Sequence, residues 1–169
     1  MRKRIVGTGA PAPAAADGPW LDLEAAAVAE VTSEAPDHPV EGALIAGDER
    51  GWRAAEPGPQ TLRLVFDRPQ TLRRILLRFD ENERQRTQEF FLGWAPAPGD
   101  EPRQIVRQQW TFHPGEPREE EDLSVDLEGV GLLELYLVPD IGGGDAVASL
   151  ARLRLAADGA GGDGGPASG

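Results

Sequence analysis

The feature that most constrains this chain is a series of short runs in which apolar and polar residues alternate. Leu62, Leu64 and Phe66 alternate with Arg63 and Val65, and Ile75, Leu77 and Phe79 alternate with Leu76 and Arg78. Phe90, Leu92 and Trp94 follow, and then Val106, Gln108, Trp110 and Phe112 stand opposite Ile105, Arg107 and Gln109. Leu123, Val125 and Leu127, then Leu133, Leu135 and Leu137, and finally Leu153 and Leu155 repeat the pattern. Successive side chains of a strand point to opposite faces, so a period of two marks a half-buried strand. Turn-forming clusters such as Pro57-Gly58-Pro59, Asp67-Arg68-Pro69 and His113-Pro114-Gly115 separate the runs. With a further strand near residues 28–32, the pattern predicts an all-β, eight-stranded jelly-roll β-sandwich. Leu62, Leu64, Ile75, Leu77, Phe90, Leu92, Leu135 and Leu137 face inward in that reading. One helical competitor is the alanine-rich stretch 21–31, and residues 40–46 have room for a single helical turn.

Both ends differ in character from this block. Residues 1–23 and 157–169 are dominated by Gly, Ala, Pro and Asp, which cannot bury enough apolar surface to offset chain entropy, so they are expected to be disordered. Residues 24–156 are left as one domain, in keeping with a chain of 169 residues. The chain has no cysteine, which removes disulfides, thiolate metal sites and cysteine nucleophiles. No apolar run is long enough to cross a membrane as a helix. The opening Met1-Arg2-Lys3-Arg4 leads into no continuous apolar segment, so the expectation is a soluble, cytoplasmic protein with no membrane partner.

Charge narrows the partners. The net charge is −12, which disfavours general binding to phosphate backbones. Residues 50–110 nevertheless carry eleven arginines against eight acids, leaving a local basic face. Candidates for catalysis are few. His38 and His113 stand far apart beside prolines, and no serine sits in a Gly-x-Ser-x-Gly elbow. The acidic groups Asp80, Glu81 and Glu83, and Glu119 to Asp122, read as solvated faces rather than an acid/base pair. The chain is therefore expected not to be an enzyme. Its most distinctive local feature is Trp52 followed at once by Arg53. A loop tryptophan can stack on a sugar face while an arginine donates to hydroxyls, with Arg84 and Arg86 of the next polar turn as further donors. A plug at one end of the sandwich is the other role for Trp52, and the sequence leaves both roles open.

The order Val31-Thr32-Ser33-Glu34, residues 36–47, Gly51-Trp52-Arg53-Ala54-Ala55 and the strand 60–66 resembles the galactose-binding-like β-sandwiches, which include the discoidin, or coagulation-factor type C, modules. The Trp-Arg-Ala-Ala run is also similar to the amino-terminal domain of a DNA single-strand-break repair scaffold of the same fold. The resemblance implies a non-catalytic jelly roll that binds ligands, in many members carbohydrates, through loops at one end. On that basis the chain is expected to be a carbohydrate-binding module, with Trp52, Arg53, Arg84 and Arg86 as ligand-binding candidates. A protein–protein adaptor, using a sheet face or the acidic segment 116–128, is the alternative, and a nucleic-acid end binder the third reading. Members often hold a structural calcium in the loop after the first strand, largely through backbone carbonyls. The matching loop here is 43–52, with Asp48 as the candidate metal ligand. It reads Gly47-Asp48 where the family has Asp-Gly, and Arg152 and Arg154 stand where the family often places a closing glutamate. The expectation is no cofactor, with calcium the one exception that the resemblance raises.

Overall fold

The computed structural model describes residues 20–157, and most of the expected tails lies outside them. A single helical turn, α1 (Leu23–Ala26), leads into β1 (Ala27–Val31), and a second turn, α2 (Glu41–Leu44), precedes β2 (Trp52–Pro57). The other strands are β3 (Gln60–Asp80), β4 (Arg86–Ala95), β5 (Arg103–Phe112), β6 (Arg118–Val138), β7 (Val147–Leu150) and β8 (Arg152–Ala156). The expected all-β, eight-stranded sandwich is what forms. The helical competitor at 21–31 shrinks to one turn, capped by Asp22 Oδ1 accepting from the Ala25 amide.

The partition into strands differs from the sequence expectation. The runs 62–66 and 75–79 belong to one 21-residue strand, and so do 123–127 and 133–137. Both long strands serve two layers. In their first and last parts respectively, Leu62 of β3 lies opposite Leu135 of β6, and this stretch is flanked by β1 on one side and by β4 then β5 on the other. Farther along, Ile75 lies opposite both Leu123 of β6 and Leu155 of β8. Between these stretches the β3–β6 register shifts at Val65/Gln70, Gln70/Leu72 and Leu72/Arg74. Pro69, which lacks an N–H, sits where the ladder is broken, and Gly129 of β6 turns there at φ +72°. The shift has a visible trace in the sequence. Inward residues are even-numbered before it (Leu62, Leu64, Phe66) and odd-numbered after it (Ile75, Leu77, Phe79).

All eight residues expected to face inward are buried. They join one core in which Phe79 of the second layer meets Phe90 of the first at 5.3 Å between ring centroids. Each large side chain withdrawn from water contributes about 1.5–3 kcal/mol, so this continuous cluster is the main driving force for closing the sandwich. Trp94 and Trp110, from the same alternating runs, are partly buried against it. Residues 20–23, which the sequence assigned to the amino-terminal tail, are part of the packed structure. The Leu21 amide donates to Leu155 O at 2.7 Å, Trp20 bridges to Ala156, and Leu23 is buried.

Candidate functional site

At one end of the sandwich the turn after β3, the approach to β2 and the end of β7 line an open cleft. His38, Glu49, Arg50, Arg53, Asn82, Glu83 and Ser149 supply its polar lining, with Asp80 and Glu81 beside them. The turn 80–86, expected to contribute to the site, does so through residues 80–83.

Local structure decides which side chains reach the cleft. β2 begins at Trp52 and pairs with β7, with Trp52 opposite Leu150 and Arg53 opposite Ser149. The sequence reading placed Trp52 and Arg53 together in a loop, but strand alternation sends neighbours to opposite faces. Trp52 and Ala54 point into the core, while Arg53 and Ala55 point out. Trp52 is 2% exposed and its Nε1 donates to Ser33 O at 3.0 Å. It is therefore the plug, with no ring face offered to a ligand. Arg53 is exposed and forms no ion pair among the described residues.

The remaining expected donors lie elsewhere. Arg84 is exposed but pairs with Asp145 at 2.9 Å and does not line the cleft. Arg86 is buried; its Nε donates to Glu81 Oε1 at 2.6 Å and its Nη1 to Pro139 O at 2.6 Å. Its guanidinium also lies 4.9 Å from the centre of the Phe112 ring. Arg86 thus pins the turn that lines the cleft to the loop after β6, and it is a positioning residue rather than a ligand contact. Partial burial raises the Glu81 carboxyl, but Arg86 and the amides of Glu83 and Arg84 outweigh it and hold the group below its ordinary range.

Asp48, the metal candidate, is committed to Arg50, accepting from its amide at 3.1 Å, its Nε at 3.0 Å and its Nη2 at 2.6 Å. The side-chain bond to Arg50 is the largest cause of its lowered carboxyl. Among the described residues no group of three or more His, Cys, Asp or Glu is placed to hold a metal ion.

The sequence reading missed His38, Glu49, Asn82 and Ser149. The close approach of Gly42 and Gly51, with the Arg53 amide donating to His38 O at 3.1 Å, brings His38 and Glu49 to the cleft. The Gly51 amide donates to Gly42 O at 3.1 Å, and a Cβ on Gly42 would stand 2.6 Å from Gly51 O. Only glycine allows the loop to close there. His38 Nδ1 lies 2.9 Å from Arg50 O. A carbonyl only accepts, so Nδ1 is the donor in this bond. Asp80 is held by Arg78 at 3.1 Å and Arg118 at 3.1 Å. Among the described residues, what remains for a ligand in the cleft is one exposed and unpaired cationic fork, Arg53, with exposed acceptors and donors at Glu49, Asn82 and Glu83 around it.

Comparison with protein-family models returns no match, and comparison with curated proteins returns none. Comparison with solved structures does. The family 32 carbohydrate-binding module of Clostridium perfringens NanJ, in complex with galactose, superposes with a TM-score of 0.56 at 15% identity, over 81% of this chain and 97% of that one. The fold is that of the galactose-binding-like, discoidin-type β-sandwiches. CpGH89CBM32-5 from C. perfringens, in complex with GalNAc-β-1,3-galactose, gives 0.56 at 19% identity, over 81% of this chain and 99% of that one. A Ruminococcus gnavus GH29 fucosidase in complex with fucose gives 0.59 at 8% identity. That match covers 78% of this chain and 25% of the fucosidase, so the chain spans a quarter of that enzyme's length.

Proposed function

We propose that the protein is a non-catalytic carbohydrate-binding module whose ligand enters the cleft between the turn 80–83 and the start of β2. The observation that carries this reading is Arg53, exposed and without an ion pair among the described residues, beside Glu49, Asn82 and Glu83 at the loop end of a sandwich shared with sugar-complexed modules. A fork of fixed donors beside amide and carboxylate acceptors matches the paired hydroxyls of a sugar ring. The carboxylates beside it support a binding role. Asp80 and Glu81 are both held by arginines rather than left as an acid/base pair.

The test is a glycan array followed by calorimetry on the best ligand. Arg53→Ala is expected to weaken binding by at least about tenfold, the loss of one charge-assisted hydrogen bond of ~1.5–3 kcal/mol. Its stability should stay within about 0.5 kcal/mol of the parent, as for an exposed residue. Arg84→Ala, on the far side of the turn, should leave affinity unchanged. Affinity should also hold between 50 and 200 mM salt, where a phosphate ligand would lose orders of magnitude. A steep loss with salt, or an Arg84 effect equal to that of Arg53, would move the site and with it the ligand class.

The adaptor alternative draws on one feature, the outer face around Tyr136, which is 41% exposed and lies opposite Phe91 on β4. Its other expected surface, the acidic segment 116–128, stays exposed at Glu116, Glu120, Asp122, Asp126 and Glu128, but much of its charge is matched at the surface. Asp122, Asp126 and Glu128 pair with Arg74 and Arg73.

A further inference from the structure

The fold resemblance implies a calcium ion in the loop 43–52, held through backbone carbonyls. The carbonyls present do not fit that ion, because they are already turned onto a side chain. Arg154 of β8 is 4% exposed. Its Nη1 donates to Ala43 O at 2.9 Å and to Leu153 O at 2.9 Å, and its Nη2 reaches Ile45 O at 3.4 Å. A metal ion sharing these oxygens would sit within a few ångströms of a fixed positive charge shielded from water, where like charges repel strongly.

We propose that the Arg154 guanidinium is a built-in cation that takes the place of a structural metal and makes the cleft wall independent of calcium. Ala43 and Ile45 bracket the C-terminal end of α2, where helix carbonyls have no partner within the helix. The guanidinium supplies that partner to Ala43 O from the last strand of the sandwich, and adds a second, longer donor at Ile45 O, which also accepts from the Asp48 amide at 3.1 Å. Its field extends along the loop, since its charge also helps to lower the Asp48 carboxyl, after the larger effect of Arg50. The residues it anchors lead directly to Glu49 and Arg50 of the cleft and back to Gly42 through the Gly51 amide. One arginine thereby ties the carboxyl-terminal strand to the loop that forms one side of the site. The assignment concerns how that loop is held and stands whatever ligand the cleft takes.

Thermal melting of the full chain tests it without reference to ligand binding. The parent protein should melt within about 1 °C of itself in EDTA and in 1 mM calcium, because a site without affinity gains nothing by mass action. Arg154→Met should melt roughly 10 °C lower, having left the buried Ala43 carbonyl without its donor. Arg154→Lys, which keeps the charge with fewer donors, should fall between the two. Arg154→Glu places a carboxylate beside the same carbonyls, an oxygen set that suits calcium. It should melt low in EDTA and recover at least half of the loss in millimolar calcium. A rise of several degrees for the parent in calcium overturns the proposal. So does an Arg154→Met protein that melts like the parent, a lysine variant no better than the methionine one, or a glutamate variant indifferent to calcium.

Discussion

Trp52→Ala is expected to lower the stability of the folded domain by about 3–5 kcal/mol, the usual cost of truncating a fully buried aromatic. For a domain of this size that is a fall in melting temperature of roughly 10–15 °C. The size follows from where the ring lies. It is 2% exposed, joins the central core, and spends its one polar atom on Ser33 O. Removing it opens a cavity and orphans that carbonyl. The same carbonyl follows Thr32, whose hydroxyl, with that of Ser33, ties Gln60 and the amides of Ala55 and Thr61 together. The damage therefore spreads to the join between β1, β2 and β3. Trp52→Phe separates the two contributions, since it keeps most of the volume and loses only the hydrogen bond; about 1–2 kcal/mol is expected for it. Chemical denaturation of both variants decides the matter. A loss below about 1 kcal/mol for Trp52→Ala would show that the ring is not the plug.

Trp52 also shows where sequence reasoning succeeds and where it stops. Alternation specifies faces, so it located the inward residues of β3, β4 and β6 correctly, and with them the all-β class. It carries no information on whether two adjacent runs are separate strands or one strand that changes layer. The runs at 62–66 and 75–79 look independent because the bulge at 65–74 flips the parity. Adjacency in sequence suggested a joint role for Trp52 and Arg53, yet once the segment is a strand that adjacency separates them. Arg86 was read as a ligand donor because arginine in a polar turn is normally solvated. Its burial is set by Pro139 and Phe112, contacts that no local pattern reveals. His38 and Asn82 reach the cleft only because distant loops converge, and Gly42 with Gly51 was the one local hint of such a close approach.

The second large effect concerns pH. Behind the cleft turn a chain of polar side chains runs into the sandwich. Arg86 Nη1 donates to Gln88 Oε1 at 3.3 Å, Gln88 Nε2 donates to Glu119 Oε1 at 3.2 Å, and Gln108 Nε2 donates to Glu121 Oε2 at 3.3 Å. Glu119 is 1% exposed, and its second carboxyl oxygen has no partner. Burial first, and then the neighbouring carboxyl of Glu121, push its carboxyl up to about 8, while the bond from Gln88 opposes the shift. In the unfolded chain a glutamate titrates near 4.3. Between these two values the folded state holds a proton that the unfolded state has released, so stability declines as pH rises from about 4 to about 8. The slope approaches 1.4 kcal/mol per pH unit at most, and the whole decline amounts to a few kcal/mol. Glu81 acts in the opposite sense at the acid end. Its lowered carboxyl stabilises the fold above its unfolded value, and that contribution is lost as the pH falls and Arg86 loses its partner. Stability should therefore peak on the acid side of neutrality. Glu119→Gln has nearly the shape of the protonated acid and keeps a partner for Gln88. It is expected to stabilise the protein by roughly 2 kcal/mol at pH 8 and to change little at pH 5. Denaturation curves at pH 5, 6.5 and 8 read this directly, with the gap between variant and parent opening as the pH rises. Parallel curves for the two proteins would falsify the assignment of the decline to Glu119.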